Sequence, residues 1–319
     1  RALVAERLAE LALERYPDAR AWALREAIAA HVGGRPEEIV PGCGSDEVIS
    51  TLMTALSRPR GGRSRASVLF PSPSFVMYRI SALTHGLAPN EVSLANDFAL
   101  DEEAMTEALE THAPNLVFLA TPNNPTGNRF DADVMRRLIE GAPGSLFVID
   151  EAYAPFAGES LSGWASEHAN VGVMGTLSKV GLAGARVGWI RLPAALAAEV
   201  DKVRQPFDLS APSQEMGRLA LTTLWPELSA NVDAIRRERA RVAEALDALS
   251  GFHCYASDAN FLLVRVEGDL DAIVDGLAKA GIAVRRFRDA DPRLDHAFRV
   301  SIGRPEENDA LLTALGGRS

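Results

Sequence analysis

Apolar residues fall along this chain in two alternating rhythms. Short runs at residues 67–70, 116–120, 146–150 and 171–175 are apolar through most of their length, the pattern of strands covered on both faces. Between them, residues 101–112 and 131–141 each open on an aspartate and carry apolar side chains at three- and four-residue steps, as amphipathic helices with an acidic N-cap do. The later runs recur at roughly thirty residues, which leaves room for a crossover helix each time. A mostly parallel α/β sheet with helices on both faces is therefore predicted.

The rhythm changes further along. Residues 212–250 read as helical with one interruption near Trp225-Pro226, and the basic run Arg236, Arg237, Arg239 and Arg241 lies among acids there, as on a solvated helix face. Residues 260–266 predict a strand, 270–280 a helix ended by Gly281, and 282–287 and 298–302 further strands, an α+β unit of its own. With 319 residues, of which 47% are hydrophobic, the chain is long enough to divide. A large domain at residues 36–215 is expected, with a smaller one formed by residues 216–319 and the N-terminal segment 1–35.

Charge and composition remove several classes. A net charge of -10 opposes non-specific attraction to nucleic acid. No apolar stretch is long enough to span a bilayer and no secretory pattern opens the chain, so no membrane role and a cytoplasmic location are expected. Cys43 and Cys254 are the only cysteines, far apart, which argues against a disulfide framework. The six histidines show no metal-binding spacing, so no metal is expected. A start at Arg1 rather than methionine reads as a processed or trimmed product.

Three segments carry chemistry. Thr121-Pro122-Asn123-Asn124-Pro125-Thr126-Gly127 follows the 116–120 strand, where open parallel sheets bind ligands, and its prolines and glycine stiffen a turn that can present the Asn124 amide. Asp150-Glu151-Ala152-Tyr153 ends the next strand; an acid at the edge of a buried sheet is costly unless it meets a cation or a donor, although capping the following helix would also account for it. Thr176-Leu177-Ser178-Lys179 follows the fourth strand, with Gly181, Gly184 and Arg186 beyond. A desolvated lysine there can form an imine with an aldehyde, and Ser178 and Arg186 supply a hydroxyl and a planar cation suited to phosphate.

In this order, and together with Tyr16-Pro17-Asp18, Gly42-Cys43-Gly44-Ser45-Asp46-Glu47, Pro71-Ser72-Pro73-Ser74-Phe75, Asn260-Phe261 and Arg299-Val300-Ser301-Ile302-Gly303, the segments resemble fold type I pyridoxal-phosphate aminotransferases. More narrowly they resemble the histidinol-phosphate aminotransferase branch. The resemblance implies the aspartate aminotransferase-like fold and pyridoxal 5'-phosphate as cofactor, bound as a Schiff base to Lys179. It implies Asp150 on the pyridine nitrogen, Asn124 and Tyr153 on the ring's phenolic oxygen, and Phe75 stacked on the ring. The phosphate would meet Gly44, Ser45 and Asp46 at a helix start, with Thr176, Ser178 and Arg186 beside it and Tyr16 from a second copy in a homodimer. Arg299, Arg285 and Asn260 would hold the substrate, Arg286 being the adjacent alternative to Arg285.

The implied reaction is ping-pong transamination between histidinol phosphate and 2-oxoglutarate, a step of histidine biosynthesis, with an aromatic amino-acid aminotransferase or an amino-acid phosphate decarboxylase on the same fold as rivals. Two departures stand out. Such enzymes usually carry an Asn-Glu-Asn-Pro-like segment ahead of the first helix, and this sequence starts after that point, so one wall of the expected substrate pocket is not represented. Lys179 and Arg186 are seven positions apart, where many relatives have one residue more.

Overall fold

The computed structural model describes residues 2–287 and 291–316. Seven strands form the large sheet: β1 (Ile39–Cys43), β2 (Ser67–Ser72), β3 (Ala88–Ser93), β4 (Leu116–Ala120), β5 (Leu146–Asp150), β6 (Val171–Thr176) and β7 (Val187–Arg191). Their order across the sheet is β1-β7-β6-β5-β4-β2-β3. Strands β3, β2, β4, β5 and β6 are mutually parallel, while β7 runs antiparallel to both β6 and β1.

Alternation along the strands explains why both faces are covered. Leu69, Val117, Leu119, Phe147, Ile149 and Val173 enter one core with Met105, Leu109, Met135 and Leu138 from the helices Glu102–His112 and Ala132–Gly141. Val68, Phe70, Leu116, Phe118 and Val148 enter the other, with Ile49, Leu52 and Tyr78 from the helices Ser45–Ala55 and Met77–Thr84. Each strand thus buries side chains in both directions, as a sheet sandwiched between helix layers must. The predicted N-caps form: Asp101 accepts from the Ala104 N–H and Asp131 from the Asp133 and Val134 N–H groups.

Three strands of this sheet were not anticipated. β1 contains Pro41 and Gly42, and as an edge strand it tolerates the missing N–H. The other edge, β3, carries Pro89 and the polar Asn90, Glu91 and Ser93, and β7 follows so closely on the Lys179 turn that no crossover helix separates them.

A second, antiparallel sheet has the order β10-β11-β9-β8, from β8 (Phe252–Cys254), β9 (Phe261–Val266), β10 (Arg285–Arg286) and β11 (Ala297–Ser301). The strand expected over 282–287 shrinks to the two residues of β10. Val242, Leu246, Leu262, Val264, Leu277, Phe298 and Val300 make this sheet's own core, whereas Leu263, Leu294 and Ala297 join the core of the large sheet. The helical stretch 212–250 appears as Ala211–Leu221 and Trp225–Asp247, the latter with Pro226 in its first turn.

The N-terminal helix Trp22–Val32 lies against the helix Ala211–Leu221 and edge strand β1, and His31 meets Trp225 edge-on. Leu24 and Ile28 pack with Ile39, Val187 and Ala220, and the buried Arg25 donates to the Ile39 and Arg20 carbonyls and pairs with Asp201 at 2.6 Å. Among the described residues no helix is long and apolar enough to cross a membrane.

Candidate active site

Strands β4, β5 and β6 run parallel, so the segments that follow them meet along one edge of the large sheet. The turn after β6 is a single 3-10 turn, Leu177–Lys179, in which the Thr176 hydroxyl oxygen accepts the Ser178 N–H at 3.1 Å and donates to the Val187 carbonyl at 3.0 Å. That double tie fixes where Lys179 leaves the backbone. Its amine sits 5.5 Å from the centre of the Tyr153 ring. Burial pulls its pKa below the ordinary lysine value, against the opposing pull of Asp150 and Asp46.

Asp150 is the last residue of β5 and is buried. Its carboxylate accepts the Tyr78 O–H at 2.6 Å and the Ala152 N–H at 3.0 Å. Burial nevertheless raises its pKa, outweighing those bonds and the nearby lysine. Tyr78 is fully buried, and its phenol is pushed well up by that burial and by Asp150. Tyr78 escaped the reading of the sequence; the cue was its position one helical turn beyond Phe75, already singled out.

Asn124 is held by the turn after β4, where the buried Asn123 amide donates to the Pro73 carbonyl at 3.0 Å and to the Thr126 hydroxyl at 2.8 Å. The Asn124 side-chain oxygen accepts from the Arg299 guanidinium. On the opposite flank, the helix Ser45–Ala55 begins after Gly44, which has a φ of 81° and offers no side-chain cap. Its first N–H groups are therefore left for another acceptor. Arg186 stands over this end, with Nη2 3.3 Å from the Cys43 carbonyl and 3.5 Å from the Asp46 carboxylate. A Cβ at position 44 would meet the Arg186 guanidinium, and the φ of 81° is one that residues with a Cβ rarely adopt, so glycine suits the position.

These pieces enclose a cavity of about 160 Å³ lined by Ser45, Asp46, Phe75, Tyr78, Asn124, Asp150, Tyr153, Ser178, Lys179 and Arg186, among others. Gly44 adjoins it, and Thr176 acts from behind through the turn it caps. A larger cavity of about 370 Å³ lies behind the same turn, between Trp189 and Trp225, but it does not contain the lysine.

The substrate candidates sit on the small sheet. Arg299 of β11 lies directly opposite Arg285 of β10 in the antiparallel register, so both project to one face. Arg286 pairs with the core residue Phe298 and makes an ion pair with Asp271. The structure thus puts Arg285, not Arg286, on the Arg299 side. Arg299 lies 4.8 Å from the Phe261 ring centre, and burial, reinforced by Arg285 and opposed by Tyr153, lowers its pKa. Asn260 precedes β9, half-buried, its carbonyl accepting the Ile302 N–H at 2.9 Å. Tyr16 is not brought into the cavity: it is 82% exposed and stacks on Phe207 with centroids 4.6 Å apart.

The residues fit a cofactor that joins an aldehyde, a basic ring nitrogen and a phosphate. The buried Asp150 has no ion-pair partner among the described residues, the lysine is desolvated, and an uncapped helix start lies beside an arginine. The family model for class I and II aminotransferases matches residues 2–315, and the chain belongs to that family, whose cofactor is pyridoxal 5'-phosphate. A histidinol-phosphate aminotransferase of Methylibium petroleiphilum is 43% identical, the match covering 98% of this chain and 83% of that protein. Another, of Polaromonas naphthalenivorans, is 42% identical over 97% and 84%. Among solved structures, the histidinol-phosphate aminotransferase from Sinorhizobium meliloti in complex with pyridoxal-5'-phosphate superposes with a TM-score of 0.86 at 28% identity, covering 99% of this chain and 85% of that one.

Proposed function

We propose that this enzyme binds pyridoxal 5'-phosphate through Lys179 and transfers the amino group of histidinol phosphate to 2-oxoglutarate. The observation that carries the reading is the meeting, in one cavity, of a desolvated lysine, a buried unpaired acid and an arginine-flanked helix start, with two arginines on one face of the facing sheet. The names of the relatives supply the substrate.

The cofactor, when bound, supplies an electron sink for the carbon that loses its proton. Lys179 would hold it covalently and, as a free amine, would serve as the base at the substrate's Cα. Its lowered pKa keeps a larger fraction of the amine unprotonated near neutrality. Asp150, short of positive charge, favours a protonated ring nitrogen; Tyr78 and the Ala152 N–H hold the carboxylate in place for it. Asn124 and Tyr153 bind the ring oxygen, and Phe75 covers the ring. The N–H groups at Ser45 and Asp46, with Ser178 and Arg186, bind the phosphate. Arg299 and Arg285 take the anionic end of each substrate in turn, a carboxylate or a phosphate, since a guanidinium fork suits both.

Tyr16 we assign to a neighbouring copy's site, because its exposure and its stacking on Phe207 present it outward. Mixing Tyr16→Ala subunits with Lys179→Ala subunits should then restore activity, as one of the two hybrid sites carries neither change; a fully active monomer would contradict it. The substrate assignment is tested by kcat/KM under matched conditions. Histidinol phosphate should exceed both histidinol and phenylalanine by about tenfold or more, the worth of a charge-assisted bidentate contact. If phenylalanine or tyrosine outperformed it, the aromatic aminotransferase reading would replace this one.

A further inference from the structure

Between the undescribed residues 288–290 and β11 stands the short 3-10 turn Pro292–Leu294. Its central residue, Arg293, distributes one guanidinium over two parts of the molecule. Toward its own segment, Nε and Nη2 grip Asp291 at 2.9 and 2.7 Å. Toward the large sheet, Nη1 donates to the Leu94 and Ala95 carbonyls at 2.6 and 2.8 Å, and Nη2 to the Ser72 carbonyl at 3.3 Å. The Phe98 ring centre lies 5.1 Å away.

The acceptors are prearranged. The Leu94 N–H already donates to the Ser72 carbonyl, while Ala95 and Phe98 close a tight loop through the bonds Ala95 N–H to Ala99 and Phe98 N–H to Ala95. Phe98 is buried in this loop with a φ of 64°, a left-handed conformation uncommon for an aromatic residue, and its ring meets Tyr255 from the segment leading into β9. Leu294 and Ala297, on either side of the entry to β11, are buried in the large-sheet core. One corner of the small sheet is thus both plugged and latched onto the large sheet, and Arg299 lies two residues past that plug.

We infer that Arg293 is a positioning residue: it clamps the β11 corner against the 94–98 loop so that Arg299 stands at Asn124 on the cofactor cavity, and so sets substrate affinity without touching substrate. The inference rests on the proposed role of Arg299 as the anion anchor. Arg293 does not line the cavity, so cofactor binding is independent of it. Other ties remain when it is removed, since Arg129 pairs with Asp258 at 3.0 Å and the Asp258 N–H donates to the Gly127 carbonyl at 2.8 Å. The corner loosens; the sheet does not detach.

The experiment compares Arg293→Ala, Arg293→Lys, Arg299→Lys and the Arg293→Ala/Arg299→Lys double variant in the cofactor-loaded enzyme. Cofactor absorbance and cofactor titration should match wild type for both Arg293 variants. KM for the amino donor and for the oxo acid should rise about tenfold in Arg293→Ala with kcat nearly unchanged, the signature of lost binding common to ground and transition states. Arg293→Lys, a point charge that can satisfy only part of the fork's contacts, should fall between. In the double variant the two KM effects should be less than multiplicative, because both act on one guanidinium. If Arg293→Ala fails to fold, the lysine variant carries the test with the same KM criterion. Unchanged KM values in the folded Arg293 variants, with Arg299→Lys still raising KM, would overturn the clamp alone. Unchanged KM in Arg299→Lys would instead overturn the role of Arg299, and the clamp with it.

Discussion

The small sheet reaches the cavity-lining Asn124 through Arg299, and the two sheets are built to different tolerances. On the large sheet, the groups assigned to the cofactor leave strand ends directly: Asp150 closes β5, and Lys179 sits one 3-10 turn after β6, tied by Thr176 to neighbouring β7. Their partners are buried and close. On the small sheet, Arg285 comes from the edge strand β10, only two residues long, and Arg299 from β11 beside it, where side-chain latches such as Arg293 set its placement. Chemistry is thus assigned to the stiff wall and substrate anchoring to the adjustable one. An enzyme that takes two different substrates in alternation gains from that division.

The sharpest way to break the comparison is at the stiff wall. Asp150→Asn keeps the shape, with its oxygen accepting the Ala152 N–H and its amide nitrogen donating to the Tyr78 hydroxyl oxygen, but removes the charge that favours a protonated ring nitrogen. Transamination should fall by about a hundredfold or more, seen as kcat, with KM and bound cofactor changing far less. Near-wild-type kcat would show that the acid serves only to cap its own turn. The adjustable wall predicts the reverse partition, KM before kcat, in the Arg293 and Arg299 variants.

A smaller effect separates two neighbours on the same strand end. Glu151 points away from the cavity and is buried, its carboxyl accepting from the Ser160 hydroxyl and the Leu161 N–H. Burial lifts its pKa to about 7, beyond what those bonds can offset. A carboxyl with a raised folded-state pKa contributes nothing adverse in acid, where both states are protonated. Stability then falls as pH rises from the ordinary glutamate range through about 7, because the unfolded chain ionises more readily. Glu151→Gln can keep both contacts without a charge. Chemical denaturation across that range should show the variant gaining on wild type by up to about 3 kcal/mol above neutrality, with kcat little altered. A pH-independent difference would mean that the acid is hydrated in the folded protein.

How much of this was legible in the sequence follows from where each signal lives. β4 and β5 were readable to the residue, because strands buried on both faces are uninterrupted apolar runs. The segments after them were readable because they are contiguous: Asn124, Asp150 and Lys179 each stand within four residues of a strand. Edge strands β1 and β3 escaped, since a strand with one open side can carry Pro41, Pro89 and polar residues. Tyr78 escaped because its meaning lies in a contact 72 positions away with Asp150, and Arg293 because its three carbonyl acceptors are backbone atoms about two hundred residues distant, invisible in side-chain composition. The choice between Arg285 and Arg286 needed the register with β11, which no local pattern contains.

The central claim is that one lysine, placed by the Thr176-capped turn, carries the cofactor. The most direct measurement is borohydride reduction of the protein loaded with pyridoxal 5'-phosphate, followed by digestion and mass spectrometry of the modified peptide. The account predicts a single stoichiometric phosphopyridoxyl adduct on Lys179, absent when the same treatment is applied to Lys179→Ala. Stoichiometric labelling of Lys202 or Lys279 instead, or of any lysine in the Lys179→Ala protein at the wild-type level, would contradict it.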